Sequence, residues 1–457
     1  MHHLILVFAA LLFAPRALAI DFDRIDQYVE ARLAAHRVAG ASLVLVQDGK
    51  PIHSRSFGHA RAHVAMTVDT PVIIGSLSKA FTATAVMQLV DKGLVDLDAP
   101  IQRYLPEFTL ADANAAAKIT VRQLLNQTSG LPATAPRASQ SPATLSQHVA
   151  ALSNTRLVSA PGQHHVYSSP NYQILGFLVE RVSQMSFADY VTRNIFSPLQ
   201  MTHSYTDAGR ARSDGLADGH NYWFGLTFPS AYAHEPDRLP TASIISTAAD
   251  LGRFAAAHLG DGAPLLSAEA LELAHAGAGP AGGSFQYAMG WRAGKTAGVE
   301  SLWHGGALPS YRGAIVLLPE RKLGIVLLTN SSSMFANHTR EIATGIVFLL
   351  NGNPPPDPAR PLGQIYAAIA IIALVLLVLN VQSLVRALRR RGKPTPLWSI
   401  VVFSFVLPIV LTVMVPRWAH VPWAAMYDSA PDLVVGCAVL IALAVLTGLA
   451  QLRRVQS

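Results

Sequence analysis

The chain is short of charge, almost free of cysteine, and without an internal repeat. Its 457 residues include one cysteine, Cys437. No disulfide framework can form within the chain, and a Cys-based metal site or a cysteine nucleophile is implausible. Charged residues make up 14% of the chain and hydrophobic residues 51%, where an ordinary soluble domain carries about 25% charged. The net charge of +7 does not gather into the stripe or patch that a nucleic-acid partner requires. Its densest cluster, Arg386, Arg389, Arg390, Arg391 and Lys393, directly follows a long apolar run, which is a membrane-topology signal. His59 and His63 are four residues apart, but no third ligand or HExxH pattern accompanies them. They read as solvated, and no metal is expected.

The apolar excess is localised. Residues 2–14 are apolar and Ala17-Leu18-Ala19 fits a small-residue cleavage site, so residues 1–19 read as a secretory signal peptide. Residues 20–350 have globular texture. Pro354-Pro355-Pro356 marks a linker, 351–364. Three apolar runs follow, about 365–385, 397–415 and 433–450, each near the ~20 residues that span a bilayer. The basic cluster between the first two, and Arg453 and Arg454 after the third, put those segments in the cytoplasm by the positive-inside rule. The expected location is the inner membrane, multi-pass, with the globular region on the periplasmic side. None of the runs has a charge at its centre, which argues against a transporter. Pro408 should kink the second run, as membranes tolerate.

Within the globular region, Ile25, Tyr28, Val29 and Leu33 recur at helical spacing. Ser42–Val46 and Pro51–Phe57 are β-prone runs joined by Asp48-Gly49, a hairpin signal. A helix is predicted from Ser76 to Lys92, ended by Gly93. Residues 114–275 read as helices and loops. Strands are expected at Tyr287–Trp291, Ser301–Trp303, Ala314–Leu318 and Ile325–Thr329, with a helix from Ala336 to Leu350. Strands at both ends and a helical middle imply an α+β fold, an antiparallel sheet closed by both ends of the chain.

The chemistry starts at Ser76-Leu77-Ser78-Lys79. On a helix, residues i and i+3 share a face, so the Ser76 hydroxyl and the Lys79 amine can meet. A serine hydroxyl needs an adjacent base, and a lysine serves only when burial or cationic neighbours favour its neutral form. Ser76 also opens the helix, where its N–H is free to face a developing oxyanion.

Residues 75–81, GSLSKAF, resemble the active-site block of class C β-lactamases, D-alanyl-D-alanine carboxypeptidases and S12-type peptidases. Further stretches match in order: LLNQTSGLP at 124–132, with Gln127 where histidine is usual; PGQHHVYSSPNYQILG at 161–176; IFSPLQM at 195–201; STAADLGRF at 246–254; and WHGG at 303–306. The resemblance implies a β-lactamase/transpeptidase-like fold over about 22–350. It also implies roles. Tyr167 joins Lys79 in shuttling the Ser76 proton. Ser169, at the usual asparagine, contacts substrate. His304, in place of a lysine, binds a substrate carboxylate when protonated. The Ala307 N–H completes the oxyanion hole, and Gly305 and Gly306 let substrate approach the strand. His164 and His165 line the site.

A third block poor in Lys and Arg suggests weak carboxylate capture. The implied activity is therefore a membrane-anchored peptidase or amidase acting through an acyl-enzyme, without a cofactor, on a small molecule or short peptide, cell-wall-derived or N-acylated. The architecture is similar to a three-span subset that trims N-acylated prodrugs, although Ile73, Leu239 and Leu308 stand where that subset carries polar residues. Alternatives are a β-lactamase or D-Ala-D-Ala carboxypeptidase, and a non-catalytic receptor on the same fold. Tyr222-Trp223-Phe224 should either rim the cleft or pack on the helical region, and Asp91 and Asp250 should serve helix ends.

Overall fold

Asp21 caps the first helix by accepting from the Arg24 N–H, and the helix, α1 (Phe22–Ala35), buries Ile25, Val29 and Leu33, the apolar stripe its sequence repeats. In the computed structural model, which describes residues 20–136, 142–230, 234–262, 264–277, 285–357, 361–389, 396–419 and 423–456, α1 packs behind a sheet. The expected signal peptide, and Arg390, Arg391 and Lys393 of the basic cluster, lie outside the described residues.

Asp48 and Gly49 both take positive φ, 48° and 75°. They join β1 (Gly40–Gln47) to β2 (Lys50–Arg61) in the hairpin geometry that such residues favour. The short β3 (Val64–Ala65) follows. From the other end of the chain come β8 (Phe285–Ala288), β9 (Trp291–Thr296), β10 (Val299–Ala307), β11 (Arg312–Leu318) and β12 (Leu323–Thr329). They complete an antiparallel sheet ordered β3-β2-β1-β12-β11-β10-β9-β8. The chain's two ends therefore pair at β1 and β12, as the pattern implied. The strand expected at Tyr287–Trp291 is instead two strands, because Gly290 at φ 87° turns the chain between them.

The central strands are buried on both faces. Leu43, Leu45, Ile325 and Leu327 point to a core shared with α1 and with the C-terminal helix α5 (His338–Leu350). Val44, Val46, Val326 and Leu328 point the other way, into a core with α2 (Ser78–Asp91), α3 (Ser169–Ser183) and α4 (Ala248–His258). Side-chain period two on strands dictates this split. Two small pairs lie outside the sheet: β4 (Val72–Ile73) with β7 (Ile245–Ser246), and the hairpin β5 (His220–Trp223) with β6 (Leu226–Pro229). Neither β7 nor the β5–β6 hairpin was expected within 114–275.

Three helices near the C-terminus are long and apolar enough to cross a membrane: Leu362–Leu388, Leu397–Arg417 and Pro431–Arg453. The second widens into a π-type turn at Val402–Val406, directly before Pro408, whose missing N–H deprives the carbonyl four residues earlier of its donor. The globular region touches the first and third at their starts. Tyr222 stacks on Tyr366 at 5.9 Å, and the Phe224 N–H donates to Asp432 Oδ2 at 2.8 Å. The Tyr222-Trp223-Phe224 run thus neither rims a cleft at Ser76 nor packs on the helical region; it belongs to this junction.

One backbone contact joins the sheet to the helical region. A Cβ on Gly306 would overlap the carbonyl oxygen of Ile74, and one on Gly75, at φ 58°, would lie 2.8 Å from the Ala307 N. Gly305 has only the Gly313 carbonyl nearby, at 3.7 Å. Gly306→Ala should therefore destabilise by about 1–3 kcal/mol, the usual cost of overpacking. Gly305→Ala should fall within about 0.5 kcal/mol of the parent. Denaturant unfolding of the two variants checks the contrast.

Candidate active site

Ser76 sits in a 3₁₀ turn, Gly75–Leu77, that runs directly into α2. The sequence placed it on the α-helix itself. The tighter turn still carries Lys79 to the serine's side, with Nζ 3.5 Å from Ser76 Oγ. Lys79 is fully buried. Its amine also donates to the Thr241 carbonyl at 2.9 Å and to Ser169 Oγ at 3.4 Å, and it lies 5.1 Å from the centre of the Tyr167 ring. No carboxylate pairs with it among the described residues. Burial pushes its pKa down, Tyr167 opposes that, and the cations Arg238 and Arg292 add to the lowering.

Two segments brace this cluster. Leu239–Ser243 forms a π-type turn tied to α2 three times. Thr241 O takes the Lys79 amine, Pro240 O accepts from Thr82 Oγ1 at 2.7 Å, and the Ile244 N–H donates to Ser78 Oγ at 3.2 Å. The Tyr167 segment has no regular structure and is held by Gln127. The Val166 N–H donates to the Gln127 backbone carbonyl at 2.9 Å, and the Ser168 N–H and Asn171 Nδ2 donate to Gln127 Oε1. Gln127 is fully buried and takes φ 60°. Ser169 begins α3, its hydroxyl accepting from Lys79. Leu239 and Leu308 pack in the main core with Ile73.

β10 forms the other wall. Its pairing with β9 ends at Trp303 opposite Arg292, so His304 to Ala307 have one open edge. The Leu308 N–H donates to Tyr311 on the β11 side. By the alternation of an antiparallel strand, the Ala307 N–H points to the open edge, beside the Gly75–Ser76 turn. A cavity of about 370 Å³ brings Ser76, Tyr167, His304, Gly305, Gly306 and Ala307 together. His165 stands nearby, 5.5 Å ring to ring from Tyr287, while His164 is exposed. His59 in β2 and His63 in the turn after it are exposed. Asp250 accepts from the His203 N–H and the Ser204 hydroxyl in the first turn of α4, and Asp91 accepts from Ser267 at the end of α2.

His304 departs from expectation. Its Nδ1 lies 2.9 Å from the Gly305 carbonyl and its Nε2 lies 3.2 Å from the Tyr287 hydroxyl. A carbonyl only accepts, so Nδ1 carries the hydrogen and Nε2 accepts from Tyr287. Burial, then Arg292 and Lys79, hold its pKa well below the ordinary histidine value. It is neutral near pH 7 and is not a cation waiting for a carboxylate.

The cations come from elsewhere, and the sequence reading missed them. Arg292 and Arg340 line the same cavity. Arg292 lies 5.4–5.9 Å from the ring centres of Tyr167, Phe285 and Tyr287. Arg340 stacks over Trp303 at 4.3 Å and donates to Thr296 Oγ1, while its Nη1 is buried with no partner among the described residues. Burial and Arg292 lower its pKa to about 10. Neither arginine has a carboxylate partner among the described residues. Recognising the turn at Met289-Gly290 would have set Arg292 opposite Tyr287 and exposed the first. No local signal marks the Thr241 carbonyl.

A sequence model of the beta-lactamase family matches residues 25–347. The chain belongs to the beta-lactamase family. Members of that family are serine hydrolases. This beta-lactamase-family chain is similar to penicillin-binding protein 4 of Amycolatopsis lactamdurans, 32% identical over 374 residues, which cover 76% of this chain and 97% of that protein. It is similar to protein flp of Staphylococcus aureus (strain N315), 27% identical over 322 residues, 68% of this chain. The match spans 64% of the length of flp. Among solved structures it is similar to the octameric penicillin-binding protein homologue from Pyrococcus abyssi, with TM-score 0.65, 25% identity, and 74% and 79% of the two chains covered. It shares its fold with a class C beta-lactamase, with TM-score 0.63, 21% identity, and 73% and 98% covered.

The buried histidines make stability depend on pH. His258, His304 and His338 all have pKa values held well below 6.5, first by burial. Below pH 6.5 the unfolded chain protonates at each and the folded chain does not. Stability then falls with pH, by up to about 1.4 kcal/mol per pH unit for each histidine. Thermal melting at pH 7 and pH 5 should give the lower Tm at pH 5; equal values would contradict the assignment of neutral, buried histidines.

Proposed function

We propose that this beta-lactamase-family hydrolase works through an acyl-enzyme on Ser76, as a membrane-anchored peptidase or amidase. The observation that carries the reading is the buried Lys79 amine, without a carboxylate partner among the described residues, between Ser76, Ser169 and Tyr167. As a neutral amine it donates its two hydrogens to Thr241 O and Ser169 Oγ and turns its lone pair to the Ser76 hydroxyl. The 3.5 Å separation suits an unliganded pair, since such contacts tighten in the substrate complex. Ser76 attacks the amide or ester carbonyl, Lys79 and Tyr167 take its proton and return it to the leaving group, and the N–H groups of Ser76 and Ala307 hold the oxyanion. Water then releases the acyl group.

Arg292 and Arg340 favour a substrate bearing an anionic group beside the scissile bond. With Arg312 they make three arginines lining one cavity, and cations gathered there without a carboxylate partner among the described residues are costly until an anion arrives. This replaces the expectation of weak carboxylate capture, and it supports a second reading in which a β-lactam or a peptide ending in a free carboxylate is accepted. The positions of the helices agree with an anchored enzyme. The first and third start against the globular region, and the first ends at Arg386 and Arg389, away from it. With positive residues inside, the globular region lies outside the cytoplasm and the C-terminus within it.

Intact mass spectrometry of the full chain tests both parts. A fluorophosphonate should add once, at Ser76. Ser76→Ala should abolish the adduct, and so should Lys79→Arg, because a guanidinium stays protonated. No adduct from well-folded parent protein would reject the enzyme in favour of a binding protein. Arg292→Gln should lower kcat/KM about 10- to 100-fold for a carboxylate-bearing substrate, the loss of one charge-assisted hydrogen bond. Fluorophosphonate labelling should persist in that variant.

A further inference from the structure

The β5–β6 hairpin is two-sided. Its register pairs Trp223 with Leu226, Tyr222 with Thr227 and Asn221 with Phe228. Partners share a face and faces alternate. One face is spent on the globular region: Tyr222 Oη donates to the His36 carbonyl at 2.7 Å, and Thr227 Oγ1 donates to the Arg37 carbonyl at 2.6 Å. The other carries Trp223, Leu226 and Phe228, and Phe224 stands at the tip. These four side chains are 36–54% exposed. No charged residue interrupts Trp223 to Phe228.

The tip is held in a costly shape. Phe224 and Gly225 take φ 48° and 78°, the two positive values a type I′ turn requires. Asparagine or glycine is usual at the first position, and a bulky residue is rarely found there. A large aromatic therefore stands at the outermost point of the hairpin against its own backbone preference.

That outer face has a fixed place relative to the apolar helices. The Phe224 N–H donates to Asp432, the second residue of the third helix, and Asn221 Nδ2 donates to the Asp428 carbonyl just before it. Tyr366, stacked on Tyr222, is the fifth residue of the first helix, so it lies about 6 Å along it at 1.5 Å per residue. The exposed aromatics thus stand level with the ends of two spans, at the depth where Trp and other amphipathic rings concentrate in membranes. The same face lines an open cleft of about 680 Å³ with Tyr427 and Pro431.

We propose that the β5–β6 hairpin is a second membrane contact, with Trp223, Phe224, Leu226 and Phe228 immersed at the headgroup–acyl boundary of the leaflet facing the globular region. The proposal rests on reading the three apolar helices as spans. The lipid is the occupant because the face is continuous with the helix ends that the bilayer must cover. Four apolar side chains at that depth bury surface that water would otherwise meet. They also stop the globular region from swinging about its linker.

Site-directed spin labelling tests it in the full chain, reconstituted in discs of phosphatidylcholine and phosphatidylglycerol. Cys437→Ser removes the one native thiol. Nitroxides are then placed singly by Trp223→Cys, Leu226→Cys and Phe228→Cys. Leu376→Cys in the first span and Asn114→Cys on the exposed helix Ala113–Ala116 serve as references. Power saturation is read with oxygen, which partitions into lipid, and with a nickel chelate, which stays in water. An oxygen-to-chelate accessibility ratio at the hairpin sites well above that at Asn114 and below that at Leu376, near the middle of its helix, is the expected result. Hairpin sites that behave like Asn114 would overturn the proposal. So would exclusion of both reagents, which would mean that protein covers the face. A water-exposed Leu376 would reject the spans themselves and the hairpin contact with them.

Discussion

At Gly306 and Gly75 two backbones meet without side chains between them. The contact sets the open edge of β10 against the turn that carries Ser76, and it fixes how far the sheet stands from the helical region. Neither half of the site has meaning without the other. The Ala307 N–H faces the serine only because Gly75 leaves room for it, and α2 enters the core at its observed angle only because the Ile74 carbonyl can rest on Gly306. A methyl group at either place would move the β10 wall relative to the turn that carries Ser76. Catalytic geometry is lost over such distances well before the fold is.

The electrostatics follow from that closure. Once the sheet is pressed onto α2, Lys79 is fully buried and has no carboxylate partner among the described residues. Its charged form is disfavoured, and His304 beside it is held neutral for the same reason. The positive charge that remains lies on arginines, which do not release protons in the working range. The site thus separates two tasks that one residue type could not combine. In the proposed mechanism a lysine that can be neutral handles protons, and guanidinium groups that stay charged hold an anion. The aromatic rings of Tyr167, Phe285 and Tyr287 around Arg292 supply negative faces that make an unpaired cation tolerable in the free enzyme.

How much of this was legible in the sequence depended on the range of each cause. The meeting of Ser76 with Lys79 is a matter of three residues on one turn, and the spacing alone implied it. The ordered blocks from 75 to 306 placed Tyr167 and β10 in one fold, and the alternation of the end strands gave the closed sheet. Three apolar runs of span length were visible as runs. What failed was non-local or weakly signalled. Met289-Gly290 is not a strong turn pair, so β8 and β9 merged, and with them went the position of Arg292. Phe224-Gly225 violates the usual turn chemistry, so the hairpin was hidden inside a stretch read as helix and loop. The protonation of His304 is set by burial and by two cations distant in sequence, and no motif carries that. Gln127 was noticed for the histidine it replaces, whereas its place in the structure is to hold the Tyr167 segment by three hydrogen bonds.

The hairpin and the active site are linked through the same short stretch of chain. β10 ends at Ala307, and Pro309 and Ser310 of the next turn line the cleft beneath the hairpin. The Ser310 carbonyl accepts from the His220 N–H at 3.3 Å, where β5 begins. The strand that lines the Ser76 cavity therefore continues directly into the surface held against the starts of two apolar helices. A hydrolase tethered by a linker alone would present its cleft in every direction. Here the hydrogen bonds to Asp428 and Asp432 and the Tyr222–Tyr366 stack hold the globular region against the apolar helices, so that in the proposed anchored enzyme the open edge of β10 keeps a constant angle and height above the bilayer. On that proposed anchoring, substrates that reach the enzyme along the membrane surface would be favoured over those that arrive from bulk solution, because their approach is confined to the plane in which the cleft is held.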